Sequence, residues 1–164
     1  MLEGLITAVS EYKDNLPTLI RESLVDHEDD LLQEQREQLF EGKASSGEYL
    51  RPFYSEDLQA SGGYFKGNMG AMKYREWKEK LTYPTRVTRQ NTDAPNLYIT
   101  GKFHEEIGID FGSEQMEFVA QTASAGKIMD KYGRENFGLT DERMSGIMHN
   151  EVVDDLIKAL KERV

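Results

Sequence analysis

Three histidines are the first residues of this chain whose chemistry could support catalysis or metal binding at neutral pH. His27 and His104 each precede a short run of carboxylates, whereas His149 lies in a C-terminal segment with helical periodicity. None of them belongs to an HExxH motif, and no second histidine follows at the spacing of a metal-ligand pair. We therefore expect hydrogen-bonded or solvated histidines, and we predict no metal site.

Other polar residues with catalytic potential also fall outside the motifs that would use them. The acidic run at residues 26–30 lacks the alternating oxygens and the mid-loop glycine of a calcium loop. Thr100-Gly101-Lys102 lacks the spacing of a phosphate loop, and no serine lies in a GxSxG frame. We predict no catalytic residue and no cofactor, so we expect that the chain is not an enzyme.

One enzymatic alternative stays open, a nuclease-like or hydrolytic site built around His104, Glu105, Glu106 and Asp110. Side chains alternate between the two faces of a strand, so a strand here would separate these groups. Added metal should stabilise such an enzyme and leave a chain without a metal site unchanged.

A long amphipathic helical segment is predicted at residues 1–42. Its first part carries apolar residues at helical spacing: Leu5, Ile6, Val9 and Tyr12. We expect a break near Asn15, a restart at Pro17 and an end at Gly42. Between Arg21 and Glu41 eight acids face two bases, so the outer surface of this segment should be strongly negative.

Residues 43–95 are predicted to form a loop-rich arm, because serine and glycine interrupt any long period. In residues 64–89 only Glu76 and Glu79 oppose a set of bases. Those bases are Lys66, Lys73, Arg75, Lys78, Lys80, Arg86 and Arg89. Aromatic residues lie between them, a composition typical of a protein interface. Ordinary surface and a nucleic-acid contact are the alternatives.

Residues 96–122 are predicted to form an antiparallel β-hairpin region, because apolar and polar side chains alternate from Ile107 to Ala120. The apolar positions are Ile107, Ile109 and Phe111 on one strand and Met116, Phe118 and Ala120 on the other. Phe103, Ile107 and Phe118 are expected to form the core of this region. The sequence therefore predicts a small antiparallel sheet.

Residues 123–164 are predicted to be helical. A short helix should stop at Gly133, and Thr140 should cap the start of a final amphipathic helix. Together with the preceding segments, this order predicts an α+β fold in one domain, residues 1–164.

Length and charge exclude several classes of protein. With 164 residues, the chain is expected to form one domain. Its net charge of −10 excludes a protein that coats nucleic acid, and the absence of cysteine excludes disulfides and thiolate metal sites. No apolar run is long enough to span a membrane, so we predict no membrane partner and expect no export signal.

Several short motifs, taken in order, resemble the neck or tail-completion proteins of tailed bacteriophages. The motifs are Gln38-Leu39-Phe40-Glu41-Gly42, Pro52-Phe53-Tyr54, the Tyr- and Lys-rich stretch 64–80 and Leu97-Tyr98-Ile99-Thr100-Gly101-Lys102-Phe103. The C-terminal Tyr132-Gly133 and Phe137-Gly138-Leu139-Thr140 are similar to structural proteins of phages that infect Bacteroidetes, including the crAss-like group. Lys102-Phe103-His104 and Glu105-Glu106 depart from the family's usual residues after the Thr-Gly turn.

The resemblance implies a non-enzymatic virion protein, made in the host cytoplasm, that forms a homo-oligomeric ring at the head-to-tail joint. Its partners would be other neck, portal or tail proteins, with at most non-specific DNA contact in the lumen. A ring pairs two different surfaces of one chain, and here an acidic and a basic segment are available. We predict Tyr74, Arg75 and Trp77 as interface anchors and Glu34 and Glu37 as their partners.

A second hypothesis concerns a different class of protein, a small acidic adaptor or inhibitor. Such a protein would bind one host or phage protein through its acidic helix, as a mimic of nucleic acid does. It should be a stable monomer, whereas the virion protein should self-associate.

Overall fold

The computed structural model describes residues 2–57, 67–83, 87–113 and 115–163. The fold is α+β, as predicted: a long N-terminal helix, a two-stranded antiparallel sheet and a C-terminal helix. Within the described residues, seven α-helices (α1–α7) and two strands (β1 and β2) follow one another. Parts of the predicted arm, residues 58–66 and 84–86, lie outside the described residues.

The N-terminal segment forms two helices, α1 (Leu2–Asp26) and α2 (Glu28–Glu41). The predicted break near Asn15 is wrong, since α1 runs through Pro17 and the interruption falls at His27. Contacts with the C-terminal helix on both sides of Pro17 explain this continuity, because they compensate the hydrogen bond that proline removes. The predicted end at Gly42 is confirmed: its φ of 80° is left-handed, where glycine is least strained.

The predicted arm contains a helix that the sequence analysis did not identify, α3 (Gly67–Glu79). Two tyrosine rings anchor it, because Tyr74 stacks edge-on against Tyr54 with 5.2 Å between ring centroids. The rest of residues 43–95 that is described consists of turns and extended chain. Tertiary contact between aromatic rings therefore stabilises a helix inside a glycine-rich segment.

The hairpin pairs β1 (Ile107–Phe111) with β2 (Met116–Ala120), which confirms the predicted sheet. Ile107 lies opposite Ala120, and Ile109 lies opposite Phe118. The short helix α4 (Lys102–Glu105) leads into β1. As predicted, Phe103, Ile107 and Phe118 are buried in the main core. Residues of α2 and of the helix that follows β2, at residues 123–132, pack in the same core.

The C-terminal third contains α5 (Ala123–Tyr132), α6 (Asp141–Ile147) and α7 (Val153–Arg163). The predicted caps are confirmed, since α5 ends at Gly133 and the Thr140 side chain accepts a hydrogen bond from the Arg143 backbone nitrogen. One π-helical turn, Met148–Val152, joins α6 to α7.

A fully buried glutamine connects these C-terminal helices to α2. Its amide nitrogen, on Gln38, donates to the Gly138 carbonyl at 2.7 Å, and its amide oxygen accepts from the Thr140 backbone nitrogen at 2.9 Å. Both polar atoms of the side chain are thus satisfied in the interior. This pair of bonds fixes the start of α6 against α2.

Candidate protein–protein interface

The two terminal helices, α1 and α7, contact each other and form the terminal-helix layer. Tyr12 Oη donates to the Leu156 carbonyl at 2.7 Å, and Ser23 Oγ donates to Asp155 Oδ2 at 2.6 Å. Near the same end of α1 as Ser23, Arg21 donates to the carbonyls of Phe111 and Gly112 in the hairpin. The contact with α7 includes the hydrogen bonds from Tyr12 and Ser23 and leaves much of α1 exposed.

A histidine closes the junction between α1 and α2. His27 Nδ1 lies 3.1 Å from Asp30 Oδ2, and His27 Nε2 lies 3.2 Å from Asp155 Oδ2. The hydrogen bond with Asp30 is the main cause that raises the pKa of His27. The hydrogen bond from Ser23 is the main cause that lowers the pKa of Asp155. Ser23 donates to the carboxylate and not to the imidazole, so these groups do not form the relay of a serine hydrolase.

Apolar exposure is concentrated in the terminal-helix layer. Eight large apolar side chains of the described residues are exposed, and five of them belong to α1 or α7. They are Ile6 (60% exposed), Val9 (48%), Val25 (38%), Val153 (37%) and Ile157 (45%). Among residues 6–26 of α1, only Ser23 is buried. The terminal-helix layer therefore carries most of the large exposed apolar side chains among the described residues.

The predicted acidic partners Glu34 and Glu37 lie on α2, where an arginine of α6 already contacts them. Arg143 Nη1 pairs with Glu34 Oε2 and lies 3.9 Å from Glu37 Oε2, while Nη2 lies 3.3 Å from Glu41 Oε1. One guanidinium thus pairs with three carboxylates within the chain, and its charge reduces the repulsion among the acids of α2. The predicted pairing of Glu34 and Glu37 with a neighbouring copy stays a prediction.

The predicted anchors on α3 differ in exposure. Trp77 is 38% exposed and its ring lies 5.7 Å from that of Tyr74, which is itself only 9% exposed. Arg75 Nε lies 3.9 Å from Glu79 Oε1, and Arg75 Nη1 lies 3.8 Å from Asp93 Oδ1. Trp77 and Arg75 are therefore partly exposed, whereas Tyr74 packs within its own chain.

Sequence reasoning missed a buried amine, Lys78, which it had counted with the exposed bases. Lys78 is 1% exposed; its Nζ donates to the Tyr98 carbonyl and lies 6.0 Å from the centroid of the Tyr54 ring. Among the described residues no carboxylate pairs with it, and burial lowers its pKa to about 7. No local sequence pattern marks this burial, because the Tyr54 ring and the Tyr98 carbonyl come from distant positions.

His104 is buried beside this amine, at the start of the hairpin. Its Nε2 lies 3.1 Å from the Asn96 carbonyl oxygen, and the ring stacks edge-on against Tyr98 at 5.4 Å. Burial lowers the pKa of His104 to about 4. The ring is thus neutral at pH 7 and acts as a hydrogen-bond donor in the core.

The residues of the enzymatic alternative do not converge around His104. Glu106 accepts hydrogen bonds from Thr122 and Ser124, which lower its pKa, while Glu105 and Asp110 are exposed. Across the described residues, no group of three or more histidine or carboxylate side chains is placed to hold a metal ion.

An open acidic groove of about 830 Å³ lies between α2, α6 and the turn at residues 45–47. Its carboxylates come from α2, α6 and the π-helical turn, and include Asp30, Glu34, Asp141, Glu142 and Glu151. Such a groove suits a basic segment of a partner.

Among the described helices, none combines the length and the apolar character that crossing a lipid bilayer requires.

Comparison with known proteins identifies no relative. No protein-family model matches the chain, and neither a curated protein nor a solved structure matches it.

Proposed function

We propose that this chain is a non-enzymatic virion structural protein of the head-to-tail joint of a tailed bacteriophage. It acts through interfaces between copies in a neck or tail-completion ring, and through contacts with portal or tail proteins. The proposal combines the motif resemblance with the distribution of exposed apolar side chains.

The observation that carries the proposal is the poor burial of α1. This helix has 25 residues, yet only one of residues 6–26 is buried, and Ile6 and Val9 project from its N-terminal half. Helices in proteins gain most of their stability from packing of an apolar face, so a helix this exposed is expected to find a partner. A protein built to assemble meets that requirement.

The order of elements supports the phage assignment. The Thr100-Gly101 turn precedes α4 and the hairpin, and the Phe137 segment precedes the C-terminal helices. This is the layout on which the resemblance rests. The chain also has chemically different surfaces, the acidic α2 and the Trp77 side of α3, which a closed ring requires for head-to-tail contacts.

The direct test is the mass of the purified chain in solution, measured by light scattering over a wide concentration range at low and moderate salt. Assembly into a discrete large species, visible as rings by negative-stain electron microscopy, is the expected result. Mass spectrometry of purified phage particles should then detect the chain in the virion. A monomer at every concentration contradicts self-assembly.

A small acidic adaptor is the second candidate, and the acidic groove between α2 and α6 favours it. A monomer that binds a Lys- and Arg-rich peptide with strong salt dependence would support this function. Substitution of Glu142 by lysine should then weaken peptide binding, with the exposed Glu105 changed to lysine as the control outside the groove.

A further inference from the structure

We infer that a small cavity between α2 and α4 is a binding site for a neutral, single-ring cyclic amide or urea, a flat molecule that carries an N–H donor beside a carbonyl acceptor. The cavity has a volume of about 250 Å³, and residues of α2, of α4 and of the chain just before α4 line it. It has no part in the proposed function, so its test is independent of self-assembly.

Aromatic rings form the buried wall of this cavity. Phe40 of α2 and His104 of α4 are each 5% exposed, and the Tyr98 ring contacts both. Tyr98 is edge-on to each of them, with 6.4 Å between its ring centroid and that of Phe40 and 5.4 Å to that of His104. Walls made of rings favour a flat ligand, whose face and edges pack against them.

His104 supplies a buried hydrogen-bond acceptor to the cavity. Its Nε2 lies 3.1 Å from the Asn96 carbonyl oxygen, which can only accept, so Nε2 carries the proton and Nδ1 keeps a lone pair. Within the described part of the chain, no group donates a hydrogen bond to Nδ1. The N–H of a ligand in the cavity would supply this donor.

Arg36 of α2 supplies the matching donors. Its Nε donates to the His104 carbonyl at 3.2 Å, which holds the guanidinium at the residue that carries the acceptor. Burial is the main cause that lowers the pKa of His104, and the charges of Lys78 and Arg36 add to it, so the guanidinium also lies near the ring. Among the described residues, no carboxylate pairs with Arg36 and no carbonyl accepts from its Nη groups. A ligand carbonyl can therefore accept from Nη while the neighbouring N–H donates to Nδ1.

Charge around the cavity selects a neutral ligand. Two carboxylates, Glu37 and Glu105, line it together with Arg36. Gln33 Nε2 donates to Glu37 Oε1 at 2.9 Å, and Glu105 is exposed. An anion would be repelled by these carboxylates in a chain of net charge −10, and a cation would be repelled by Arg36. A neutral ligand with one donor and one acceptor avoids both repulsions.

The volume limits the ligand to one ring. About 250 Å³ is the space of roughly eight water molecules at ~30 Å³ each. It is smaller than the roughly 300–1,000 Å³ of sites that hold drug-sized ligands. Uracil is a single flat ring, is neutral at pH 7 and carries N–H groups beside carbonyl groups, so it is a suitable probe of this ligand class.

The direct test is titration of uracil into the full, isotope-labelled chain, followed by two-dimensional NMR. A ligand of this size is expected to bind with a Kd of about 1 mM. The amide signals of Arg36, Gly101 and Glu105, which line the cavity, should shift together. The melting temperature should rise by roughly 3 °C at about ten times the Kd.

Two isomers of dimethyluracil test the hydrogen-bond donor. The 1,3-dimethyl isomer keeps the ring and both carbonyls but has no N–H, so it leaves His104 Nδ1 without a donor. The 5,6-dimethyl isomer has the same size and keeps both N–H groups. The 1,3-dimethyl isomer should therefore bind at least about tenfold more weakly than the 5,6-dimethyl isomer.

Variants test the two protein groups. Arg36→Met removes the guanidinium, and His104→Phe removes Nδ1 while it keeps a ring; each should weaken uracil binding about tenfold. Arg75→Met is the matched control, because Arg75 is also partly exposed and does not line the cavity. Circular dichroism verifies the fold, and if His104→Phe does not fold, Arg36→Met and the two isomers still decide the question.

Uridine 5′-monophosphate tests the selection of a neutral ligand. Its phosphate would approach Glu37 and Glu105, so it should bind more weakly than uracil. Tighter binding than uracil overturns the inference, in favour of a nucleotide or nucleic-acid ligand. The absence of shifts at the three amides, equal binding of the two isomers, or unchanged binding in Arg36→Met also overturns it. Each of these outcomes leaves the proposed self-assembly to its own test.

Discussion

The buried amine of Lys78 gives a quantitative prediction about stability and pH. Its pKa is lowered from 10.5 to about 7. The unfolded chain therefore holds the Lys78 proton across this interval while the folded chain releases it, and stability rises with pH. At about 1.4 kcal/mol for each pH unit, the free energy of unfolding should rise by at most about 5 kcal/mol between about pH 7 and pH 10.5.

Lys78→Met should remove this dependence. The variant loses the hydrogen bond to the Tyr98 carbonyl, which costs about 1–2 kcal/mol at any pH. At pH 7 it also avoids the cost of burying the amine, so we expect the variant to be more stable than the unchanged chain by up to about 3 kcal/mol. Near pH 10 that cost has almost vanished, and the variant should be the less stable of the two.

The assay is urea unfolding followed by circular dichroism at intervals from pH 7 to pH 10. Lys80→Met is the matched control, because Lys80 is exposed only two residues further along. Its free energy of unfolding should keep the pH dependence of the unchanged chain. Equal slopes for Lys78→Met and the unchanged chain would refute the argument that Lys78 is buried without a counter-ion.

Three further predictions concern single side chains, each followed by urea unfolding. Arg143→Gln should lower the free energy of unfolding by about 1–3 kcal/mol, because it leaves Glu34, Glu37 and Glu41 of α2 without their cation. A loss below about 0.5 kcal/mol would contradict the contacts described. Burial lowers the pKa of His104 to about 4, so the unfolded chain takes up a proton first as pH falls below 6.5. Stability should therefore fall by up to about 3.5 kcal/mol between pH 6.5 and pH 4, and His104→Gln should flatten this slope; an unchanged slope would be inconsistent with a neutral, buried ring. The raised pKa of His27 has the opposite sign: its contribution is complete below pH 6.5 and is lost as pH rises through the folded-state pKa, so His27→Gln should cost more stability at about pH 5.5 than at about pH 8. An equal cost at both values would indicate that His27 holds α7 by contact alone.

Local patterns in the sequence predicted the elements whose stability depends on their own residues. The alternation from Ile107 to Ala120 predicts the register of the hairpin, because apolar partners must lie opposite one another on the buried face. Gly42 and Thr140 mark helix ends through backbone conformation and side-chain capping, which are also local properties. The core residues of the hairpin followed directly from these elements.

Elements that depend on distant contacts could not be predicted in this way. Pro17 is a strong local signal for a helix start, yet α7 holds α1 together across it. Lys78 has the sequence context of an exposed base, and its burial depends on Tyr54 and Tyr98, which are remote in the chain. The exposed side of α1 was likewise invisible, since only the position of α7 decides which part of an apolar stripe is covered.

The π-helical turn at Met148–Val152 has a consequence for how this sequence can vary. Such a turn accommodates one more residue than regular winding, so the residues after it keep the directions that a helix one residue shorter would give them. Before the turn α6 contacts α2, and after it α7 contacts α1. Deleting a single residue within the turn should restore regular winding and leave Asp155 facing Ser23, whereas an insertion within α6 or α7 should rotate the residues after it by about 100°. Related sequences should therefore tolerate the loss of one residue at this turn and not a change of length in the helices on either side of it.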